Sequence, residues 1–275
     1  MFNEPSPETK PVLFEYAFVG SYPKNSTSSD KSNFENTLNA LNDLAMNEEW
    51  SYQNTPNTRP LPILFNYLLH TFARIKEENK ICELENYSCF NTGLVTENQE
   101  EIFMLFRRNK AKGTWMFQEF CKESSNELTK FNTLPDRATY FNDPADLIFD
   151  PRLTLRINID HIVDDENNFA RFPDDIKLLS KHQLMNTFNG AIEHARKRIR
   201  RNYKTAIPQY YRGYIAVGQL QLLLPLCLKE PSKADLALAV YKQGTSYMGR
   251  TCLTLDMAIN NARLVAKPDD EWLRP

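Results

Sequence analysis

The sequence predicts an α+β fold that combines a mainly antiparallel sheet with N-terminal helices, one long central helix and a C-terminal helix. Three observations favour this fold. Apolar residues recur at helical spacing near the N-terminus and again after Pro173, short aromatic and β-branched runs fill the middle of the chain, and two near-continuous apolar runs occupy the last third. Because neither an internal repeat nor a clear linker interrupts the chain, we expect a flexible N-terminal segment over residues 1–32 and a single domain over residues 33–275.

Two helices are expected early in the chain. Ser32 and Glu35 have the spacing of a capping box, and apolar residues then recur at helical intervals over 34–45. After a turn-rich segment, residues 63–80 carry a broad apolar stripe. Both segments are therefore predicted to be amphipathic helices.

A longer helix is expected beyond Pro173, because apolar residues of 178–199 fall on one stripe. The pair Asn189-Gly190 is expected to kink it. The segment 247–265 is predicted as a strand that passes into the final helix.

Short runs rich in aromatic and branched residues predict the strands. Those in the middle of the chain are 81–90, 100–108, 114–121, 146–150 and 153–163. In 153–161 apolar and polar residues alternate. His161 falls on the apolar face and is expected to be largely buried, whereas Asn158 and Asp160 share the polar face. The two near-continuous apolar runs of the last third predict central strands that are covered on both faces.

Composition excludes several classes of protein. The 275 residues include 33 Lys and Arg against 35 Asp and Glu, a net charge of −2, which excludes a uniformly basic protein. No apolar run is long enough for a membrane helix, so no membrane association is expected. The N-terminus is acidic and rich in proline where a secretory signal would be basic and apolar, and we therefore expect a cytoplasmic protein.

Cysteines and histidines indicate no metal site. The five cysteines form no CxxC pair and lie mostly in or beside apolar runs, so we expect buried small side chains rather than a disulfide framework. The four histidines have none of the spacings HxH, HExxH or HxxxH. No metal is predicted, and the sequence identifies no cofactor.

Asn91, Thr92 and Gly93 are the first candidate for ligand binding, at the end of the strand that starts at Ile81. A glycine preceded by Asn and Thr can turn backbone N–H groups toward an anion or a base edge. The alternative is an ordinary turn, in which Asn and Gly are common. The sequence contains neither GxxxxGK[ST] nor GxGxxG, so it has no P-loop or dinucleotide-binding motif.

Asp160 and Arg171 are candidates for catalysis. Asp160 could serve as a general base or metal ligand, and Arg171 could stabilise developing charge. Asn158 shares the strand face of Asp160 and is a candidate ligand-binding residue. Asp256, near the C-terminus, is a second candidate for base or metal ligand.

Six cations are concentrated where the central helix should end: Arg196, Lys197, Arg198, Arg200, Arg201 and Lys204. Without them the chain has 33 − 6 = 27 basic against 35 acidic residues, a net charge of −8. On a helix, Arg196, Arg200 and Lys204 stack at intervals of four residues. Such a ridge could follow a phosphate backbone. The alternative is a solvated helix face with cations favoured near its C-terminus.

The last third carries polar residues inside apolar elements. Gln219 and Gln221 lie in an apolar strand, and buried glutamines need hydrogen-bond partners. Further polar side chains follow: Arg250, Asp256, Asn260, Asn261 and Arg263. These groups suit recognition of a base, a ribose or a phosphate, but a structural network that ties the helix to the sheet explains them equally well.

Five segments together resemble a bacterial and fungal family of domains of unknown function: FNTGL at 90–94, NIDHI at 158–162, RFP at 171–173, QLQLLLPLCL at 219–228 and TCLTLDMAINNARL at 251–264. Members of that family are sometimes joined to RNA-associated modules of the OST-HTH (LOTUS) type. The similarity extends over about residues 12–273. It implies a domain that acts beside RNA-binding or RNA-processing partners, and it implies no catalytic residue.

The leading hypothesis is an intracellular domain that binds RNA or a nucleotide-like ligand. The phosphates would contact the ridge of residues 196–204 and Arg250, and the base or sugar would contact Asn91 and the amides of the last third. Two other classes stay open. One is a metal-dependent phosphodiesterase or nucleotide hydrolase, and the other is a protein-interaction scaffold or regulatory module whose exposed aromatic residues contact a protein partner.

Overall fold

The structure is a computed structural model that describes residues 10–20, 33–109, 114–212, 218–268 and 272–273. The chain divides into two compact units, Met1–Thr139 and Tyr140–Pro275. Helices and two mixed sheets are present, so the predicted α+β class is confirmed, with two sheets where the sequence indicated one. That residues 33–275 behave as one domain stays a prediction.

The first unit combines three helices with a five-stranded sheet. Its elements are α1 (Val12–Tyr16), β1 (Ala17–Phe18), α2 (Asn33–Leu44), α3 (Pro62–Glu77), β2 (Cys82–Glu83), β3 (Tyr87–Val95), β4 (Glu101–Asn109) and β5 (Thr114–Lys122). The strand order is β1-β5-β4-β3-β2, and every pair is antiparallel except β1 with β5, which is parallel. The two predicted helices are confirmed. The proposed cap at Ser32 lies outside the described residues.

The flexibility predicted for residues 1–32 stays a prediction, and residues 10–20 are the part of that segment that the structure describes. They form α1 and β1, and Leu13 is fully buried. β1 pairs with β5, which lies far along the chain, and no local sequence pattern reveals this pairing. Residues 1–9 and 21–32 of the predicted segment lie outside the described residues.

Aromatic residues form the centre of the first unit. The ring of Phe90 lies 5.0 Å from that of Phe72 on α3 and 6.0 Å from that of Phe106 on β4. Pro62 begins α3 in the first turn, where its missing N–H costs no hydrogen bond. The apolar stripe of α3 therefore packs on the strand face that carries Phe90 and Phe106.

The second unit has a sheet with helices on both faces. Its elements are β6 (Thr154–Ile157), α4 (Ile159–Asp164), α5 (Glu166–Phe169), α6 (Asp174–Lys177), α7 (Lys181–Arg201), β7 (Ile207–Tyr211), β8 (Gln219–Leu226), β9 (Leu236–Gln243), β10 (Ser246–Leu253) and α8 (Leu255–Val265). The strand order is β6-β10-β9-β8-β7, and only β6 with β10 is parallel.

Alternation along β8 shows how both faces of this sheet are covered. Leu222 and Leu224 pack in one core with Phe188 and Ile192 of α7. Gln221 points to the opposite face, which α8 covers through its contacts with β7. The prediction of central strands covered on both faces is therefore confirmed for the described part, whereas residues 213–217 of the first apolar run lie outside it.

The two sheets share one plan. In each sheet, four strands that are consecutive in the chain form an antiparallel meander. An earlier strand, β1 in the first unit and β6 in the second, pairs in parallel with the last strand of the meander, β5 or β10. The orders 1-5-4-3-2 and 6-10-9-8-7 are therefore equivalent. The sequence contains no repeat from which this shared strand order could be predicted, because the same strand order needs only similar patterns of apolar residues.

Residues 153–161 depart from the predicted strand. β6 ends at Ile157, and the Asn158 side chain accepts a hydrogen bond from the His161 backbone N–H at 3.1 Å, which caps α4. His161 is consequently exposed on a helix, and the prediction that it is buried is wrong. The cap replaced the strand alternation on which that prediction depended.

Three further local predictions are changed. The run 146–150 begins as a 3₁₀ turn, Pro144–Leu147, because the Asp143 side chain caps it. Helix α7 is continuous through Gly190, with a capping box of Ser180 and Gln183 at its start. β7 was not predicted, because Pro208 is atypical of a strand unless the strand lies at a sheet edge, as β7 does.

No helix within the described ranges is long and apolar enough to cross a membrane.

The cysteines give a first testable prediction. All five are free thiols; Cys89, Cys121 and Cys252 are buried, and Cys82 and Cys227 are half-buried. Burial raises the pKa of Cys89 and Cys121 to about 12, so almost no thiolate is present at neutral pH. We expect a thiol reagent to label only Cys82 and Cys227 in the native protein. Peptide mapping checks this, and rapid native labelling of Cys252 would contradict it.

Candidate functional site

The second unit contains a cavity of about 550 Å³ between the start of β6 and the last turns of α7. We call it the arginine cavity; its lining consists of Pro151, Arg152, Leu153, Thr154, Leu155, Arg196 and Arg200. Every ionisable side chain of the lining is an arginine. Arg196 and Arg200 are four residues apart and so project from one face of α7. The cavity is thus positively charged on two sides and apolar along β6.

Neighbouring carboxylates neutralise part of this charge. Asp150 accepts two hydrogen bonds from the Arg152 guanidinium at 2.9 and 2.8 Å, and this pairing lowers the pKa of Asp150 to about 2. Glu193 accepts one from Arg196 at 2.7 Å. Arg200 is exposed and has no ion pair within the described part of the chain. Its guanidinium is the one most available to an anion.

The predicted cationic ridge is only partly formed. Lys197 and Arg201 are exposed beside Arg200 and extend the positive surface along α7. Arg198 is instead half-buried, and its Nη1 lies 3.8 Å from Cys227 Sγ. Lys204 does not belong to the ridge, because α7 ends at Arg201 and Asn202 caps the 3₁₀ turn that follows.

Four side-chain amides form a hydrogen-bonded chain that runs from α8 across β7 to the exposed start of β8. Asn261 Nδ2 donates to Gln209 Oε1 at 3.1 Å, and Gln209 Nε2 donates to Gln221 Oε1 at 2.8 Å. Gln221 Nε2 then donates to Gln219 Oε1 at 3.3 Å. The structure therefore brings together three predicted ligand-binding residues. Gln209 was missed: it is fully buried, and the sequence signal was a polar residue inside the apolar run of β7.

This amide chain ends at a second cavity, of about 580 Å³, between the start of β8 and the end of β9. We call it the sheet cleft; it is lined by Asp146, Gly218, Gln219, Leu220, Gln221, Leu222, Val240, Lys242, Gly244 and Tyr247. The pairing of β8 with β9 begins only at Leu222 and Val240. Before it, within the described ranges, β8 pairs with β7 alone and β9 with β10 alone. The cleft is thus an opening inside the sheet.

The two cavities are neighbours on the sheet. Leu155 of the arginine cavity is the register partner of Tyr247, which lines the sheet cleft. The Tyr247 hydroxyl also accepts a hydrogen bond from the Asp150 backbone N–H at 2.9 Å. At the mouth of the cleft, Lys242 Nζ lies 3.2 Å from Asp146 Oδ1. One buried tyrosine therefore separates the cavities.

Comparison with protein families identifies a match that covers most of the chain. A family model described as a domain of unknown function (DUF3825) matches residues 41–272, far more than half of the chain. The chain belongs to the DUF3825 family. The match runs through both units, so the DUF3825 domain includes the arginine cavity, the sheet cleft and most of the first unit. No curated protein and no solved structure matches the chain.

The other predicted residues of the DUF3825 domain lie elsewhere. Asn260 Nδ2 donates to the Asp256 carbonyl within α8 at 2.8 Å, and both residues are buried. Arg263 is half-buried on the same helix. These contacts use the polar groups inside the fold, which supports the alternative of a structural network for this helix.

Arg171 of the DUF3825 domain is bound to the backbone of β10. Its Nη1 donates to the Cys252 carbonyl at 2.6 Å and to Asn168 Oδ1 at 3.3 Å, and Asn168 Oδ1 also accepts from the Cys252 N–H at 3.2 Å. Burial lowers the Arg171 pKa. Arg250 is exposed at the register shift of β10. Arg171 and Asn168 therefore hold the irregular strand segment beside Arg250.

The predicted acidic site is not assembled. Asp160 is exposed on α4, 3.5 Å from Lys181 Nζ, which also contacts Asp164 at 2.8 Å. Asn158 caps the helix, so it no longer shares a strand face with Asp160. Among the residues that the structure describes, no group of three or more His, Cys, Asp or Glu could hold a metal ion.

Asn91, Thr92 and Gly93 lie within β3 of the first unit rather than at a strand end. Asn91 Nδ2 donates to Glu101 Oε2 at 2.8 Å, and Thr92 Oγ1 donates to the Ile102 carbonyl at 2.7 Å. The register between β3 and β4 shifts here, as in a β-bulge. Asn91 and Thr92 are fully buried, and their hydrogen bonds stabilise the bulge.

Proposed function

We propose that this DUF3825 domain binds RNA or a nucleotide-like ligand, and that the arginine cavity receives a phosphate. The observation that carries the proposal is the lining of the cavity, in which every ionisable group is an arginine. The guanidinium group matches phosphate geometry because its parallel N–H groups donate to two oxygens together. Arg200, without an ion pair among the described residues, would make the first contact.

The surroundings of the cavity fit a nucleotide better than a bare anion. Pro151, Leu153 and Leu155 form an apolar wall beside the cations, suitable for a ribose or the face of a base. Lys197 and Arg201 continue the positive surface beyond the cavity and could follow a phosphate backbone. The resemblance to domains joined to OST-HTH modules favours RNA as the polymer.

Binding of a single-stranded RNA at several salt concentrations tests this proposal. Each phosphate contact contributes about −0.7 to the slope of log K against log salt. If Arg152, Arg196 and Arg200 each contact one phosphate, the expected slope is about −2. An oligomer of the same sequence with an uncharged backbone is the matched control and should bind at least about 100-fold more weakly.

The purified protein offers an independent measurement. A high ratio of absorbance at 260 to 280 nm, with a nucleotide or RNA fragment released on denaturation, would identify the ligand class directly. RNA binding that does not depend on salt, or equal affinity for the uncharged oligomer, would contradict the proposal.

A further inference from the structure

We infer that the sheet cleft binds a nucleobase through the hydrogen-bonding edge of the base. This inference rests on the proposed function for the kind of ligand, but different residues carry it. Sequence reasoning assigned Gln219 and Gln221 to a base or sugar without any indication that a sheet opens beside them. The proposed base site in the sheet cleft consists of two strand edges, the end of the amide chain and an apolar wall.

The strand edges supply backbone donors and acceptors. Residues Gln219–Gln221 of β8 pair only with β7, and Tyr241–Gln243 of β9 pair only with β10. Among the residues that the structure describes, the edges that these segments turn toward each other have no ladder partner across the cleft. Backbone N–H and C=O groups are strong hydrogen-bonding groups that need partners. A base presents donors and acceptors in one plane along its edge, as a neighbouring strand does.

The strand order does not require this opening. The first unit has the same plan, and its β3 and β4 occupy the positions of β8 and β9. There the corresponding ends are paired, Tyr87 with Arg107 and Ser88 with Phe106. The cleft is therefore a specific feature of the second unit, and the first unit shows the closed form of the same topology.

The amide chain gives the cleft a defined polarity. Each amide donates through its NH₂ group to the carbonyl oxygen of the next, from Asn261 to Gln219. Gln219 Nε2 stands at the end, and no partner for it lies among the described residues. The fully buried amide of Gln209 accepts from Asn261 and donates to Gln221, so the terminal Gln219 amide is oriented to donate to an acceptor such as a base carbonyl or ring nitrogen.

The shape of the cleft favours a base over an extended peptide. A peptide that adds to a strand edge needs a continuous groove, but this opening closes at the pair Leu222 and Val240. A small planar ligand fits between the ends of two strands without passing through the sheet. Leu220, Leu222 and Val240 line the opening toward the α7 face, and Gln219 and Gln221 line it toward the α8 face. A planar ligand in the opening would therefore contact an apolar wall on one side and a few placed polar groups on the other, as is typical of ligand pockets.

The position of the cleft also fits a ligand that carries phosphate. The arginine cavity borders β6 and the sheet cleft borders β9, with β10 between them. Two strand spacings amount to roughly 10 Å. One nucleotide chain could therefore place a phosphate in the arginine cavity and a base in the cleft.

Binding of the four free ribonucleosides tests the inference, because they carry a base and no phosphate. Adenosine, guanosine, cytidine and uridine are titrated separately against the full chain by NMR. We expect saturable binding, with at least about tenfold preference for one base. Gln219→Ala should weaken that nucleoside at least about tenfold because it removes the terminal donor. Gln53→Ala, an exposed glutamine of the first unit outside the lining, is the matched control and should bind as the unaltered protein does.

Two results would overturn the inference: no saturable binding of any nucleoside, or equal binding by Gln219→Ala and the unaltered protein. The double variant Arg196→Ala/Arg200→Ala separates the inference from the proposed function. It should keep nucleoside binding while losing salt-dependent RNA binding. Loss of nucleoside binding with salt-dependent RNA binding intact would remove the base site and leave the phosphate site in place.

Discussion

Replacement of both Arg200 and Arg201 by glutamate is expected to reduce the affinity for single-stranded RNA at least about 100-fold at low salt. The double change removes two exposed cations and places two carboxylates beside the arginine cavity. The two introduced carboxylates would repel the phosphate that the two arginines of the native protein attract. Within the described residues no ion pair of the native protein is broken.

The fold should survive this change. Both positions lie in the last turn of α7, where the helix dipole favours cations, so each reversal costs about 1 kcal/mol or less. The control Lys233→Glu/Lys267→Glu alters the net charge of the same unit equally, at exposed positions outside the cavity lining. Equal RNA affinity in the two double variants would show that only net charge matters and would refute the arginine cavity as the phosphate site.

Gly93→Ala is expected to destabilise the protein by about 3 kcal/mol. Gly93 has a φ of +74°, and an added Cβ would lie 2.7 Å from the Tyr67 hydroxyl. That hydroxyl donates to the Thr92 carbonyl at 2.9 Å, so its displacement also leaves a buried acceptor without its partner. Left-handed backbone costs alanine roughly 1–2 kcal/mol, and the lost hydrogen bond adds a similar amount.

Gly190→Ala is the matched control. Gly190 lies inside α7 with nothing within 4 Å of its added Cβ, so alanine should stabilise the helix by about 1 kcal/mol. Urea unfolding measures both variants. A single transition that Gly93→Ala shifts as a whole would bear out one domain over residues 33–275, whereas two transitions, of which it shifts one, would divide the chain. Unchanged stability of Gly93→Ala would contradict the strain at this bulge.

Patterns within one element were predicted well from the sequence. The apolar stripes of α3 and α7 need only a spacing of three and four residues, and both helices are present. The prediction of a strand through residue 161 was wrong, because the helix cap formed by the Asn158 side chain outweighed the alternation of apolar and polar residues around it. Local patterns cannot show which of two such competing signals determines the backbone.

Contacts between residues that are distant in the sequence could not be predicted, because local patterns carry no information about them. Arg196 and Arg200 were identified by their charge, but Arg152 joins them only because β6 pairs with β10 and places it near α7. Gln209 and Gln221 meet through the register of β7 and β8. The sheet cleft depends on where pairing stops, and no residue pattern in β8 or β9 encodes that point by itself.

The parallel edge strands impose an order on folding during synthesis. Ala17 pairs with Trp115, which is 115 − 17 = 98 residues later, and Thr154 pairs with Ser246, 92 residues later. A ribosome therefore releases each edge strand long before its partner exists, so each closing contact carries a large loop-closure cost. Because β6 forms one side of the arginine cavity, a nascent chain cannot complete that cavity until β10 has left the ribosome. Under the proposed function, a nascent chain could bind RNA at the arginine cavity only after Ser246–Leu253 has emerged from the ribosome.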